Sequence, residues 1–180
     1  ARRRVALQSL KAMIDMQPRA VPAGHDNGAL YLQIHLGDQR FALSVQDVIK
    51  VLPRQPLKPV LQAPHWVAGI LAYRGQLVPV VDLAALCVGR PALQRTSTRL
   101  VLVRYRSALQ LGLILEHATE TLRCRADEFK PYGVNNDPAP YLGPVRQDAL
   151  GLVQRIEVDQ VLPEAVHRVL YPDPQGGTCT

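Results

Sequence analysis

The sequence predicts a mainly β fold made of two related β-subdomains with short helices, and three observations carry that expectation. Apolar residues alternate with polar ones in short runs bounded by Gly, Pro and Asp. Leu, Val and Ile together supply 52 of 180 residues against only 9 aromatics, so the core is aliphatic and the chain is not a disordered one. The two halves also repeat one another, as described below. A chain of this length fits one domain or two small, closely packed halves.

Taken in order, Ala6, Leu10, Met13 and Ile14 form a weak helical stripe with a basic end. Pro18 to Gly28 holds two prolines, two glycines and Asn27-Gly28, so residues 1–28 read as a helical arm and linker ahead of a body at 29–165. From Leu30 the period becomes two. Leu30, Leu32, Ile34 and Leu36 mark a half-buried strand, Gly37-Asp38 turns, and Phe41, Leu43 and Val45 return as the partner of a hairpin. Prolines 53, 56, 59 and 64 break the next segment into extended pieces. Ile70–Tyr73 and Leu77–Val81 flank Arg74-Gly75-Gln76 as a second hairpin, and Pro79, lacking an amide donor, is expected at an edge or a bulge. Asp82 caps a short helix over Leu83–Val88, which Gly89 closes. Arg99–Tyr105, a turn at Arg106–Gln110, Leu111–Leu115 and Leu150–Ile156 repeat the pattern, followed by Val158-Asp159, a closing helix and a tail at 166–180. Residues 41–52 match 111–122 at a constant offset of 70, and Val81-Asp82 answers Val158-Asp159. The spacing predicts an internal duplication over about 30–89 and 98–163.

Composition narrows the function. The net charge of +6 is concentrated in residues 1–19, which carry +4, leaving +2 on the rest with acids and bases interleaved. That distribution disfavours a nucleic-acid face. The longest apolar stretch, Trp66 to Tyr73, falls far short of the roughly 20 residues that span a bilayer, so no membrane insertion is expected. Three widely spaced cysteines and no secretory leader pattern point to a reducing cytoplasm. No serine lies in G-x-S-x-G, and the five histidines lack metal-ligand spacing, so neither a catalytic site nor a metal or other cofactor is expected. Cys87 reads as a packed thiol, and Cys124, between Arg123 and Arg125, as a solvated strand end. Glu116-His117 is the best acid–base pair, but as neighbours on a strand they point to opposite faces.

One block remains, Ala63 to Leu83, reading A-P-H-W-V-A-G-I-L-A-Y-R-G-Q-L-V-P-V-V-D-L. Its Pro64, Gly69, Arg74, Gly75, Pro79, Asp82 and Leu83 resemble the signature of the CheW-like adaptor family of bacterial chemosensory arrays. The likeness extends from about Leu30, through Leu36-Gly37-Asp38 and 111–116, to Val161-Leu162. It implies two five-stranded SH3-like β-barrels sharing a core, and a scaffold that links a CheA-type histidine kinase regulatory domain to the cytoplasmic tip of a methyl-accepting receptor. Such a protein is cytoplasmic and associated with membrane receptor arrays. Tyr73-Arg74-Gly75, Ser97-Thr98-Arg99 and 139–143 are most similar to the adaptor of Wsp-type surface-sensing systems, whose output is a diguanylate cyclase. The competing readings are an SH3-like nucleic-acid binder and a small-molecule-binding β domain.

By the same resemblance the receptor groove maps to Val48, Lys50, Gly69, Arg74 and Leu100, and a kinase-contacting loop to Phe129, Lys130, Pro131 and Val134. Arg74 is the expected anchor, and Gly69 permits a close backbone approach. Two departures stand out. Ala72 and Tyr73 replace the usual Asn-Leu, and Lys50 stands where the family usually has a Glu able to pair with the signature Arg. Lys50 and Arg74 are then like charges, and either the pair is dispensable or the partner supplies the acid.

Overall fold

A computed structural model describes residues 28–133 and 136–173. Residues 1–27 of the expected arm, Val134 and the end of the tail lie outside the described residues. The strands run β1 (Ala29–Leu36), β2 (Gln39–Ser44), β3 (Val48–Leu52), β4 (Val67–Tyr73), β5 (Gln76–Asp82), β6 (Arg99–Tyr105), β7 (Leu109–Leu115), β8 (Glu120–Cys124), β9 (Leu142–Asp148) and β10 (Gly151–Ile156). Helix α1 (Leu83–Val88) follows β5, and α2 (Glu164–Leu170) follows β10. The alternation read from the sequence places both hairpins and the repeat of β6 and β7 within a residue or two, except that β4 begins three residues ahead of the expected Ile70.

The strands form two five-stranded sheets, ordered β8-β1-β2-β10-β9 and β3-β6-β7-β5-β4. Each order becomes the other when five is added to or subtracted from every strand number. Neither half of the sequence makes a sheet alone: β1 and β2 join β8, β9 and β10, while β6 and β7 join β3, β4 and β5. Each sheet is then closed by one isolated antiparallel bridge, Lys130 to Val145 in the first and Lys58 to Ile70 in the second. Closure removes exposed strand edges and gives each sheet its barrel form. A single apolar core spans both barrels, with Leu32, Ile34, Leu36, Phe41 and Leu43 from one and Val80, Leu102, Leu111, Leu113 and Leu115 from the other.

Pro79 corrects the edge reading. Strand β5 lies inside its sheet, between β7 and β4. Ile70, opposite Pro79, spends its backbone groups on Lys58, with N–H···O distances of 2.8 and 3.0 Å, so it asks nothing of Pro79. Parallel pairing with β7 begins only at Val80, one residue later. The missing donor therefore falls between two ladders.

Asp82 caps α1 as its position predicts. Its Oδ1 accepts the Ala85 amide at 3.1 Å and its Oδ2 accepts the Ala92 amide at 2.8 Å. One carboxylate thus starts the helix and fixes the loop that leaves it. Gly89 ends the helix in the left-handed conformation, φ 71°.

The first barrel is latched by charge. Arg40 on β2 donates two bonds, 2.7 and 2.8 Å, to Asp148 at the end of β9, with side-chain exposures of 10% and 18%. Arg146 adds a 3.4 Å contact to Asp148 and a 3.2 Å contact to Glu128. The Arg40 guanidinium, aided by the Leu150 amide, holds the Asp148 carboxyl down at about 2. An acid held below its ordinary 3.8 contributes stability that is complete above that value and is lost as pH falls toward about 2. Asp148→Asn strands a largely buried guanidinium and is expected to cost about 2–4 kcal/mol in denaturant unfolding at neutral pH. The variant's stability should also fall less than wild type's across that acid window; parallel pH profiles would show that the pair is not the source.

Candidate functional site

The signature hairpin builds the site from its turn outward. Tyr73 pairs with Gln76, leaving Arg74 and Gly75 as a two-residue turn at φ 48° and 77°. Both left-handed values suit the twist of a β-hairpin, and Arg is the residue for which this conformation is less favourable. The Arg74 guanidinium lies 5.3 Å from the centre of the Tyr73 ring, a cation–π contact that replaces whatever an Asn-Leu pair would have offered.

This turn overhangs a depression of about 350 Å³ lined by Ile49, Lys50, Tyr73, Arg74, Gln76 and Gln110. Adjacent residues of a regular strand face opposite ways, yet Ile49 and Lys50 both line it. The reason is a bulge: Val48 pairs with Val103 and Lys50 with Leu102, leaving Ile49 as an extra residue in β3. Lys50 and Arg74 therefore both line one surface.

The other expected receptor residues divide differently. Val48 is half-buried in β3 beside this surface. Gly69 has φ 145°, and a Cβ there would lie 2.6 Å from the Lys58 carbonyl oxygen, so its role is to let the closing bridge form. Leu100 differs from expectation. It is 1% exposed, opposite Leu52 and inside the common core, so its side chain presents no surface to a partner. Ile49, Gln76 and Gln110 were not singled out by sequence reasoning; the offset of 70 that pairs Gln110 with Arg40 was the available signal for the last.

On the expected kinase side, Phe129 is 5% exposed and packs 5.1 Å from the Tyr31 ring, with the Arg155 guanidinium 5.6 Å from its centre. It anchors the loop inside the first barrel. The Lys130 backbone makes the closing bridge to Val145, and exposed Pro131 lines an open depression of about 610 Å³ with Tyr132, Leu142 and Pro144.

The acid–base candidates are structural. Glu116 and His117 lie in the turn after β7, where His117 has φ 47°, and both line one depression of about 370 Å³ with His35. They do not point to opposite faces as a strand would require. Burial pushes the Glu116 carboxyl up, but bonds from Arg90 at 2.5 Å and the Leu93 amide at 2.8 Å outweigh it and hold it below the ordinary value. Burial raises the Cys87 thiol to about 11. Cys124 is buried rather than solvated, and burial raises its thiol too despite the opposing charge of Arg146, so neither is poised as a thiolate at neutral pH. Among the described residues no group of three His, Cys, Asp or Glu side chains is placed to hold a metal ion. Nor is any described helix long and apolar enough to cross a membrane.

The frame is thus a pair of closed β-barrels with a depression beneath the signature hairpin. The chain belongs to the CheW-like domain family, whose profile matches residues 30–166. It is 24% identical over 106 residues to the chemotaxis protein CheW of Rhizobium meliloti, covering 59% of this chain and 68% of that protein. It is 22% identical over 134 residues to the chemotaxis protein CheW of Thermotoga maritima, covering 74% and 87%. The crystal structure of the scaffolding protein TtCheW from Thermoanaerobacter tengcongensis superposes with a TM-score of 0.72 at 16% identity, covering 82% of this chain and 96% of that one, which supports the two-subdomain SH3-like fold. Membership in this family makes the protein a non-catalytic adaptor scaffold of chemotaxis type.

Gly69→Ala tests the closure. A side chain at φ 145° against a backbone oxygen is expected to cost about 2–4 kcal/mol. Hydrogen exchange should show loss of protection at Lys58 and Ile70 ahead of the β6–β7 hairpin; unchanged stability would mean that the bridge is incidental.

Proposed function

We propose that this adaptor binds the cytoplasmic tip of a methyl-accepting receptor at the depression beneath the β4–β5 turn, and the regulatory domain of a CheA-type histidine kinase through Lys130, Pro131, Val134 and the neighbouring surface. The protein then works at membrane receptor arrays without entering the bilayer. The observation that carries the receptor assignment is the placement of signature Arg74 on a rigid two-residue turn, over a depression that also receives Lys50. An Arg held by its own turn and an adjacent ring loses little freedom on binding, which suits an interface anchor. Val48 and Gly69 shape this surface, and Leu100 acts only from beneath it. The similarity of Tyr73-Arg74-Gly75 and Ser97-Thr98-Arg99 to the Wsp-type branch supports a surface-sensing array with a diguanylate cyclase output.

Arg74→Ala is expected to weaken binding of a receptor-tip fragment by about 1–3 kcal/mol while leaving the thermal melt in place. A parallel fall in melting temperature would assign Arg74 to the fold instead. The purified protein should bind the kinase regulatory domain and, incubated with labelled ATP, neither turn over nucleotide nor become labelled; labelling of the adaptor alone would overturn the reading.

A further inference from the structure

The first barrel carries a depression that closure alone does not call for. The two hairpins correspond by register: Tyr73 pairs with Gln76 and Ile70 with Pro79 in one, Asp148 with Gly151 and Val145 with Gln154 in the other, an offset of 75 (148 − 73). The closing bridges then set Lys130 where the second barrel has Lys58. Two residues on from each bridge stand Tyr132, which is 39% exposed, and the half-buried Val60. A valine meets the needs of the frame at this place, so the larger, exposed ring serves something else. Nor is the ring loose: its hydroxyl donates to Asn136 Oδ1 and accepts from Gln154 Nε2, both at 2.9 Å. Together with Phe129, Pro131, Leu142 and Pro144, this fixed ring walls the open depression of about 610 Å³.

The chain itself supplies an occupant. Residues 1–27 lie outside the described residues, which open at Gly28, where a Cβ would lie 3.0 Å from the Cys124 carbonyl. Two residues past Cys124, Ala126 lines the depression, so the arm joins the barrel at the depression's rim. Ala6, Leu10, Met13 and Ile14 of the arm recur at the spacing of one helical face, and such a face needs an apolar surface to cover it. The chain from Ile14 to Gly28 can extend to about 45 Å, ample for a site that begins where the arm is attached. Residues 174–180, by contrast, hold no branched aliphatic, aromatic or methionine side chain to offer.

We infer that the arm docks on its own first barrel, with Leu10, Met13 and Ile14 seated in this depression against Tyr132. Attachment at the rim makes the contact intramolecular, at an effective concentration on the order of millimolar, so a modest apolar contact suffices. Pro131 also belongs to the proposed kinase surface. The docked arm and the kinase then contend for it, a consequence that rests on the kinase reading, whereas the docking does not.

Met13 and Met16 are the two methionines of the chain, so methyl-labelled methionine in the full chain reports on the arm alone. In NMR spectra the Met13 methyl should be shifted upfield by the Tyr132 ring and show cross-relaxation with it, independently of protein concentration. Tyr132→Ala should return that signal to the position of free methionine while the melt is retained. Leu10→Asp with Ile14→Asp should do the same without touching the barrel, and should move the Tyr132 and Leu142 amide signals. A wild-type Met13 signal at the free position, one that both variants leave in place, or one lost on dilution, which would seat a second copy's arm, overturns the inference. The kinase regulatory domain, titrated in parallel, separates the two ideas. Contention predicts that the Leu10→Asp, Ile14→Asp variant binds it about three- to tenfold more tightly than wild type. Unchanged affinity beside a shifted wild-type Met13 signal rejects the kinase surface at Pro131 alone; a free Met13 signal beside kinase binding that Lys130→Glu weakens rejects the docking alone.

Discussion

Everything in this fold depends on two places where the chain leaves one sheet for the other. The first is the turn Val45–Asp47, which carries the chain from β2 to β3; the second is the segment Glu116–Thr119, which carries it back from β7 to β8. The second crossing is held by charge. The Glu116 carboxylate, 3% exposed, receives Arg90 and the Leu93 amide, so it ties the crossing to the loop between α1 and β6. Breaking such a contact from one side leaves a buried carboxylate without compensation, which costs more than the pair gains in stability when intact. Asp82 fixes the same loop from the other direction through the Ala92 amide.

Because of these crossings, each barrel needs strands from both halves of the sequence. The parallel ladders that complete the exchange are short, three register pairs each, and they rely on close approach. Gly112 shows the tolerance: a Cβ there would lie 2.8 Å from a Val80 methyl. Neither half can bury its own apolar face, so the two barrels must form together around one core. The Arg40–Asp148 pair, separated by 108 residues, closes this arrangement between strands from opposite ends of the body. The same frame holds the β4–β5 hairpin, with β7 paired at the far end of β5 and the Lys58 bridge on the β4 side.

How much of this was legible in the sequence follows from which forces act locally. The hairpins, the Asp82 cap and the Arg74-Gly75 turn were readable because alternation, capping and turn chemistry involve residues a few positions apart. Pro79 misled because its acceptability depends on where pairing with β7 begins, and β7 is distant in sequence. Glu116-His117 misled because the strand ends one residue before the pair. Cys124 reads as solvated between two arginines, yet its side chain faces the interior of the first barrel with Tyr31 and Phe129. Resemblance carried Arg74 and Lys50 to one surface, whereas it could not distinguish Leu100 in the core from its neighbours near the groove. The strand exchange was hidden because the same alternation satisfies either partner sheet, and the deciding contacts lie in the crossings.

The duplication makes the differences between the barrels informative. Two copies of one frame meet the same demands for closure, and positions that serve only the frame keep the same geometry, as the paired bridges at Ile70 and Val145 do. The position held by Arg40 and Asp148 in one copy and by Gln110 and Tyr73 in the other does not. In the first barrel an internal acid takes two hydrogen bonds from the guanidinium, although the Arg40 Nε stays buried without a partner. In the second, Gln110 and Tyr73 line a depression together with Lys50 and Arg74. The two copies therefore share the geometry of closure and differ in side-chain chemistry at this one position, an Arg–Asp ion pair in the first and an uncharged Gln and Tyr beside the signature turn in the second.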